Sequence, residues 1–204
     1  MLKIYGRKSS SNVQKVLWCC DELGIAYARE DVGGKFGKNR TPDYLALNPN
    51  GLVPTVDDDG FVLWESNSIV RYLAARHGVG RLWPQDPQAA AGASRWMDWQ
   101  LSTLGPANAP LFRAYLRDPQ ETIPAAELAA AAKRTGEAWA ILDAQLARTA
   151  FVAGAQLTVG DIAFGNAIHR WYRYPIERPA LPNLRAWYGR LCERPAYRMN
   201  ILED

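Results

Sequence analysis

Cysteine is scarce: the chain has three, and two of them, Cys19 and Cys20, are neighbours. Adjacent cysteines cannot bridge each other without strain, so a disulfide framework of the secreted kind is excluded. Histidine is scarcer, with two in 204 residues, and no His, Cys or carboxylate cluster has metal-ligand spacing, so no metal is expected. No apolar run approaches membrane-spanning length. Met1-Leu-Lys-Ile-Tyr5 opens directly on a strand-like run with no signal-peptide pattern. A reducing cytoplasm is the expected location. The formal net charge of +3 is too slight for an electrostatic footprint on nucleic acid. What is present is ordinary for a folded chain: 48% hydrophobic and 22% charged residues, enough to bury one large core or two small ones.

The texture changes near residue 78. Before it, short β-like runs alternate with helical ones. Leu2 to Tyr5 reads as a strand, Ser11 to Leu23 as a helix closed by Gly24, and Ile25 to Val32 as a second strand. Thr41-Pro42 is an N-cap with proline at the first helical position, and that helix ends near Asn48. Val53 to Val56 and Phe61 to Leu63 form two strands around the hairpin signal Asp58-Asp-Gly60. A helix from Ser66 to His77 stops at Gly78. The expected order is βαβ followed by ββα, in residues 1–78. Residues 79–86 are linker-like, rich in Gly and Pro. Residues 87–204 read as all-helical, with Gly105-Pro106 and Pro110 bending or breaking the first long helix and Pro175, Pro179 and Pro182 separating the last two.

Leu157-Thr-Val-Gly-Asp-Ile162 carries a capping box. Thr158 and Asp161 have the residue types and the spacing to satisfy each other's backbone amides, with Leu157 and Ile162 as a hydrophobic staple. This reads as a folding device. The tandem cysteines fall on a helix whose Val13, Val16, Leu17, Cys20 and Leu23 share one face, which makes Cys20 a packing residue.

Chemistry concentrates in three segments of the first domain. The turn Gly6-Arg-Lys-Ser-Ser-Ser-Asn12 leads into a helix N-terminus, so hydroxyls, an amide and free backbone N–H groups gather where an anion is favoured. In Asn48-Pro-Asn-Gly-Leu-Val-Pro-Thr55 the second proline removes a ladder donor, which confines Pro54 to a strand end or a special turn, where a cis bond can form. That arrangement turns the Val53 backbone N–H and C=O outward for an extended peptide. Trp64-Glu-Ser-Asn-Ser-Ile69 places a carboxylate and a hydroxyl at another helix start, matching a zwitterionic amino acid: Glu65 for the ammonium, Ser66 and the helix N–H groups for the carboxylate.

With these stretches and Leu157-Thr-Val-Gly-Asp-Ile-Ala163, the chain resembles the cytosolic glutathione transferase superfamily along nearly its whole length, in particular its bacterial, theta-like, serine-type members. The resemblance implies a thioredoxin-like N-terminal domain with a mixed four-stranded sheet and a cis Pro54, an all-helical C-terminal domain, a homodimer, and glutathione as co-substrate. It carries roles onto matching residues: Ser10 donates to the glutathione sulfur, with Ser11, Asn12 and Tyr5 as alternatives, while Val53 and Pro54 clamp the backbone and Glu65 with Ser66 hold the γ-glutamyl end. Leu52 stands where many relatives place a Lys or Gln toward the glycyl carboxylate, which leaves that charge to Lys35, Lys38 or Arg40.

The second substrate is expected to be a small, mostly apolar electrophile, held by aromatic residues of the helical domain: Phe112, Tyr115, Trp171 and Tyr172. The expected activity is glutathione S-conjugation. Glutathione-dependent peroxide or disulfide reduction and dehalogenation begin with the same thiolate and stay open, as does a non-catalytic glutathione-binding protein.

Overall fold

The computed structural model describes residues 1–117 and 123–203. The chain forms two compact units, Met1–Asp86 together with the tail from Arg194, and Pro87–Glu193. In the first unit β1 (Leu2–Tyr5) is followed by α1 (Ser11–Leu23), β2 (Tyr27–Glu30), a 3-10 turn at Gly34–Phe36, α2 (Pro42–Leu47), β3 (Thr55–Asp58), β4 (Phe61–Trp64) and α3 (Ser66–His77). The sheet order is β2-β1-β3-β4. β1 runs parallel to β2 and antiparallel to β3, with Tyr5 opposite both Glu30 and Thr55. This is the expected mixed, thioredoxin-like sheet.

Local chemistry accounts for the element ends. Gly24 closes α1 in the left-handed region at φ 69, its N–H reaching the carbonyls of Asp21 and Cys20. The Thr41 hydroxyl caps α2 by accepting from the Tyr44 amide at 3.4 Å. Two strands differ from the sequence reading. β2 is shorter at both ends, and β3 begins at Thr55 because Val53 and Pro54 stay outside the ladder. Ile4, Val13, Val16, Leu17, Val56, Ile69, Val70 and Leu73 pack the core of the first unit with at most 3% exposure. Burial of side chains this size is the main stabilising contribution, about 1.5–3 kcal/mol each.

The tail from Arg194, which the sequence reading assigns to the helical domain, belongs to the first unit. Tyr197 stacks edge-on against Trp18 at 4.8 Å. Arg194 donates from Nε and Nη2 to the two Glu22 carboxylate oxygens at 2.7 and 2.6 Å, and Asn200 donates to Asp21 at 2.6 Å. These contacts join residues more than 170 positions apart in sequence, which no local pattern encodes.

The second unit contains α4 (Pro87–Trp99), α5 (Gly105–Phe112), α6 (Ala125–Leu146), α7 (Val159–Ile162), α8 (Gly165–Trp171) and α9 (Pro182–Cys192); α10 (Pro195–Tyr197) lies in the tail of the first. Prolines 106 and 110 do not break the helix. The backbone stays right-handed helical through Leu104, Gly105 and Arg113, with π-type turns at Gln100–Leu104 and Arg113–Arg117. The Gly105 N–H reaches the Gln100 carbonyl five residues back. Widened turns take up the misfit of a ring that has no N–H to donate and crowds the preceding turn. Among the described residues, no helix is long and apolar enough to cross a membrane.

At the start of α7 the capping box is present, and it is half of a larger arrangement. Asp161 has no exposed surface. Its Oδ2 accepts from the Thr158 amide at 2.9 Å and the Thr158 hydroxyl at 3.2 Å; its Oδ1 accepts from the Val152 amide and the Trp187 indole N–H, both at 2.9 Å. Burial pushes this carboxyl above its usual range, and the donors oppose that shift.

Candidate active site

The site lies at one end of the sheet of the first unit, where β1 and β4 run out and β3 begins. Gly6 ends β1 and makes a close approach possible. At φ 155, a Cβ on it would lie 2.4 Å from Val13 Cγ2 and 3.3 Å from Val53 Cβ, so the turn sits directly against the segment leading into β3. The loop then rises to α1. Ser10 occupies the N-cap position with extended backbone, φ -83 and ψ 120, yet its hydroxyl makes no capping bond. Among the described residues that hydroxyl has no hydrogen-bond partner, while the Ser10 N–H donates to the Arg7 carbonyl at 3.1 Å. An N-cap serine normally bonds back onto its own helix; this one is left with a donor beside the positive end of α1. Asn12 is exposed, and its Oδ1 accepts from the Ser66 hydroxyl at 3.2 Å, which ties the starts of α1 and α3 together.

The Val53–Pro54 peptide is cis. The approach to it is held by a network the sequence reading does not contain. Asn48 Nδ2 donates to the Leu52 carbonyl at 2.9 Å and to the Thr55 hydroxyl at 3.1 Å. The Tyr44 hydroxyl donates to the same carbonyl at 2.6 Å and lies 2.9 Å from Thr55 Oγ1. With its carbonyl drawn inward, Leu52 carries its side chain 60% exposed. Among the described residues, neither the N–H nor the C=O of Val53 has a partner. Two unpaired backbone groups next to a strand start form a template for an incoming extended chain. The signal in sequence was Asn48 with Tyr44 and Thr55, three hydrogen-bonding residues around a proline turn. The Tyr5 ring packs edge-on against Tyr44 at 6.4 Å.

Glu65 occupies the N-cap position of α3 with an unusual backbone, φ 72 and ψ 110, its side chain exposed and making no cap bond. For a residue with a Cβ this conformation is costly, on the order of 1–3 kcal/mol, and such positions cluster at functional sites. Ser66 beside it is 5% exposed. Lys38 also lies at positive φ, 66, and its Nζ donates to Glu30 at 2.7 Å. Lys35 lies over the Phe36 ring at 5.2 Å. The sheet end thus brings together Ser10, Asn12, Val53, Pro54, Glu65 and Ser66, with Lys38 engaged by a neighbouring acid.

In the second unit the four aromatic candidates have different surroundings. Tyr115 lines a cavity of about 770 Å³ with Leu128, Ile176, Arg178 and Pro179, and its ring meets Tyr174 at 5.6 Å. Trp171 is core, 1% exposed, with the Arg178 guanidinium over its ring at 5.8 Å. Tyr172 is stacked on Tyr188 at 5.1 Å, and Phe112 lies under Arg170 at 4.7 Å.

Burial raises the Cys19 thiol well above its ordinary range and Cys20 to about 12. Both are fully buried, so the thiolate needed for redox chemistry is suppressed. Ellman's reagent should therefore titrate no thiol beyond Cys192 in the native protein and all three after denaturation. Rapid labelling of Cys20 in the native chain would contradict this reading.

Sheet order, a cis proline beside a helix N-terminus and a separate helical unit define a protein of the thioredoxin-like, glutathione-transferase architecture. Comparison with known proteins identifies the family. Its N-terminal part matches the model of the glutathione S-transferase N-terminal domain over residues 9–76, and residues 125–190 match the glutathione S-transferase C-terminal domain. The chain is 41% identical to glutathione S-transferase GstB of Escherichia coli K12, over 99% of this chain and 98% of that protein. It is similar to the crystal structure of a theta class glutathione S-transferase from Xanthomonas axonopodis pv. citri with glutathione bound. Identity there is 49%, the TM-score is 0.92, and 98% of this chain and 97% of that one are covered. A delta-class glutathione transferase from Nilaparvata lugens superposes with a TM-score of 0.88 at 28% identity, over 100% of this chain and 94% of that one. The chain belongs to the glutathione S-transferase family.

Proposed function

We propose that this glutathione S-transferase binds glutathione along the Val53 backbone, activates its thiol with the Ser10 hydroxyl, and conjugates the thiolate to small electrophilic, mostly apolar acceptors. The reading rests on two unengaged groups in the loops at this end of the sheet: the Ser10 hydroxyl, at an N-cap but not capping, and the Val53 N–H and C=O, which lack partners among the described residues. A hydrogen bond to the charged form of a thiol favours that form. Ser10 therefore acts as a donor and does not ionise, so it needs no neighbouring histidine or carboxylate as a serine nucleophile would. Asn12, joined to Ser66, holds the two helix starts in register, and the first-turn amides of α1 add positive potential. Glu65 takes the ammonium of the γ-glutamyl end, and the α3 amides take its carboxylate, joined by the Ser66 hydroxyl once that single donor turns to it from Asn12 Oδ1. The helical unit supplies the acceptor surface, with Tyr115 at its cavity.

The test is retention on immobilised glutathione, followed by turnover assays with electrophiles, peroxides and mixed disulfides. Turnover of electrophiles supports conjugation, turnover of peroxides or disulfides alone transfers the chain to a reductase role, and retention without turnover makes it a binding protein. The working form is a cytoplasmic homodimer, joined through a large two-fold interface of the kind obligate dimers bury. Light scattering at micromolar concentration should give twice the 22.7 kDa chain mass; a monomer at that concentration would refute the dimer.

A further inference from the structure

We propose that Arg7 holds the glycyl carboxylate of glutathione and so makes the site selective for a peptide with a charged C-terminus; this deepens the glutathione reading above and rests on it. The Arg7 amide donates to the Val32 carbonyl at 3.0 Å, which pins the loop after β1 to the end of β2. From there the side chain lies back over Gly33 and Gly34. The point a Cβ on Gly33 would occupy is 3.2 Å from Arg7 Nη1 and 3.4 Å from Val53 Cγ1. On Gly34 it would be 2.9 Å from Nε and 3.0 Å from Cδ. Both glycines have positive φ, 82 and 58, and any side chain there would push the arginine off its seat. The guanidinium is thus half-buried against bare backbone, beside the residue that clamps the peptide. Among the described residues it makes no hydrogen bond and no ion pair. A partly buried cation with five donors and no partner is a group awaiting an anion.

Topology says which anion. In the order β2-β1-β3-β4, Glu65 and Ser66 follow β4, Val53 leads into β3, and Arg7 follows β1 and leans onto the loop after β2. Val53 lies between the two charged ends. A short extended peptide held at its amino end by Glu65 and Ser66 and at its middle by Val53 delivers its C-terminal carboxylate to the Arg7 side. The planar fork of arginine matches a carboxylate with two parallel bonds. The competing cations are placed less well. Lys38 is paired with Glu30, Lys35 lies over Phe36, and Arg40 is exposed, next to Gly51. Exposed, apolar Leu52 cannot meet the charge at all.

The experiment is calorimetric binding of glutathione, its glycinamide analogue and γ-glutamylcysteine to the full chain, in the parent, Arg7→Gln, Arg7→Met, Arg7→Lys and Arg40→Gln. The parent should prefer glutathione over the glycinamide by roughly tenfold, as charge-assisted hydrogen bonds are worth. Arg7→Gln should lose that preference by weakening glutathione alone, leaving glycinamide affinity within about a factor of two. Arg7→Lys should restore part of it, because it keeps the charge without the fork. Arg7→Met keeps the stem packed on Gly34 and serves if the glutamine variant does not fold. Equal binding of glutathione and glycinamide by the parent overturns the proposal, as does a preference that survives in Arg7→Gln or disappears in Arg40→Gln instead. If the parent binds none of the three ligands, the glutathione reading itself fails. If Glu65→Gln weakens all three alike while Arg7→Gln changes nothing, only the role of Arg7 does.

Discussion

Asp161→Ala should destabilise the helical unit by about 4 kcal/mol, because it leaves several buried donors without an acceptor, each worth roughly 1–3 kcal/mol. The Val152 amide, the Thr158 amide and the Trp187 indole N–H all end on this one carboxylate. None has water to turn to, since Val152 and Trp187 are fully buried and Thr158 nearly so. A capping box alone would predict a smaller loss, about 0.5–2 kcal/mol. At about 2–4 °C per kcal/mol for a chain of this length, the melting midpoint should fall by about 8–16 °C. Asp161→Asn should not restore it. Both carboxylate oxygens accept N–H donors, so either orientation of the amide turns its NH2 toward one of them. Thermal denaturation followed by near-ultraviolet circular dichroism, with Trp187 as reporter, checks this. A midpoint within about 3 °C of the parent would remove Asp161 from the folding role given to it. The folded fraction of either variant should bind glutathione as the parent does.

Ser10→Ala should raise the pKa of bound glutathione thiol by about 1–2 units, since a hydrogen bond to a charged group is worth about 1.5–3 kcal/mol and one unit is 1.36 kcal/mol. The sign follows from which form the hydroxyl binds. Donation to sulfur stabilises the thiolate, so its loss lets the proton hold on to higher pH. The rising limb of kcat/KM for the electrophile, taken at saturating glutathione so that it reports the bound thiol, should move to alkaline pH by the same amount, lowering the rate roughly 10–100-fold below the new pKa and sparing it above. Affinity should change little, because Val53, Glu65 and Ser66 still hold the peptide. Stability should change little as well: Ser10 makes no capping bond to lose. That separates chemistry from folding, since an ordinary N-cap serine costs about 1 kcal/mol when truncated. The measurement is thiolate absorbance of bound glutathione against pH in the parent, Ser10→Ala, Ser11→Ala and Tyr5→Phe. An unchanged titration in Ser10→Ala, with a shift in another variant, would transfer the role to that residue.

The parts of this protein legible in one dimension are those set by neighbours in sequence. The apolar period of Val13, Val16, Leu17 and Cys20 and the stop at Gly24 mark α1, and Thr41-Pro42 marks the start of α2. Asp-Gly at 59–60 marks the turn between β3 and β4, and Thr158 with Asp161 marks the box opening α7. In each, the interacting groups lie within one turn of chain, so residue type and spacing nearly determine the geometry. The three segments of the candidate site were legible for the same reason, two as loops at the starts of α1 and α3 and one as a proline turn between α2 and β3.

Tertiary structure decided the rest. The Asp161 carboxylate is completed by donors 9 and 26 residues away. The tail reaches Asp21 and Glu22 from more than 170 residues downstream. Prolines 106 and 110, which locally oppose a helix, are carried in a continuous one by π-type turns, since packing along the whole helix outweighs a local misfit. Arg7 bears no distinguishing mark in the sequence: it takes its place from Gly33, Gly34 and Val53, residues that only the folded sheet brings to it. Short-range order follows from chain stiffness and nearby hydrogen bonds. Which distant group meets which depends on burial, and burial exists only once the core has formed.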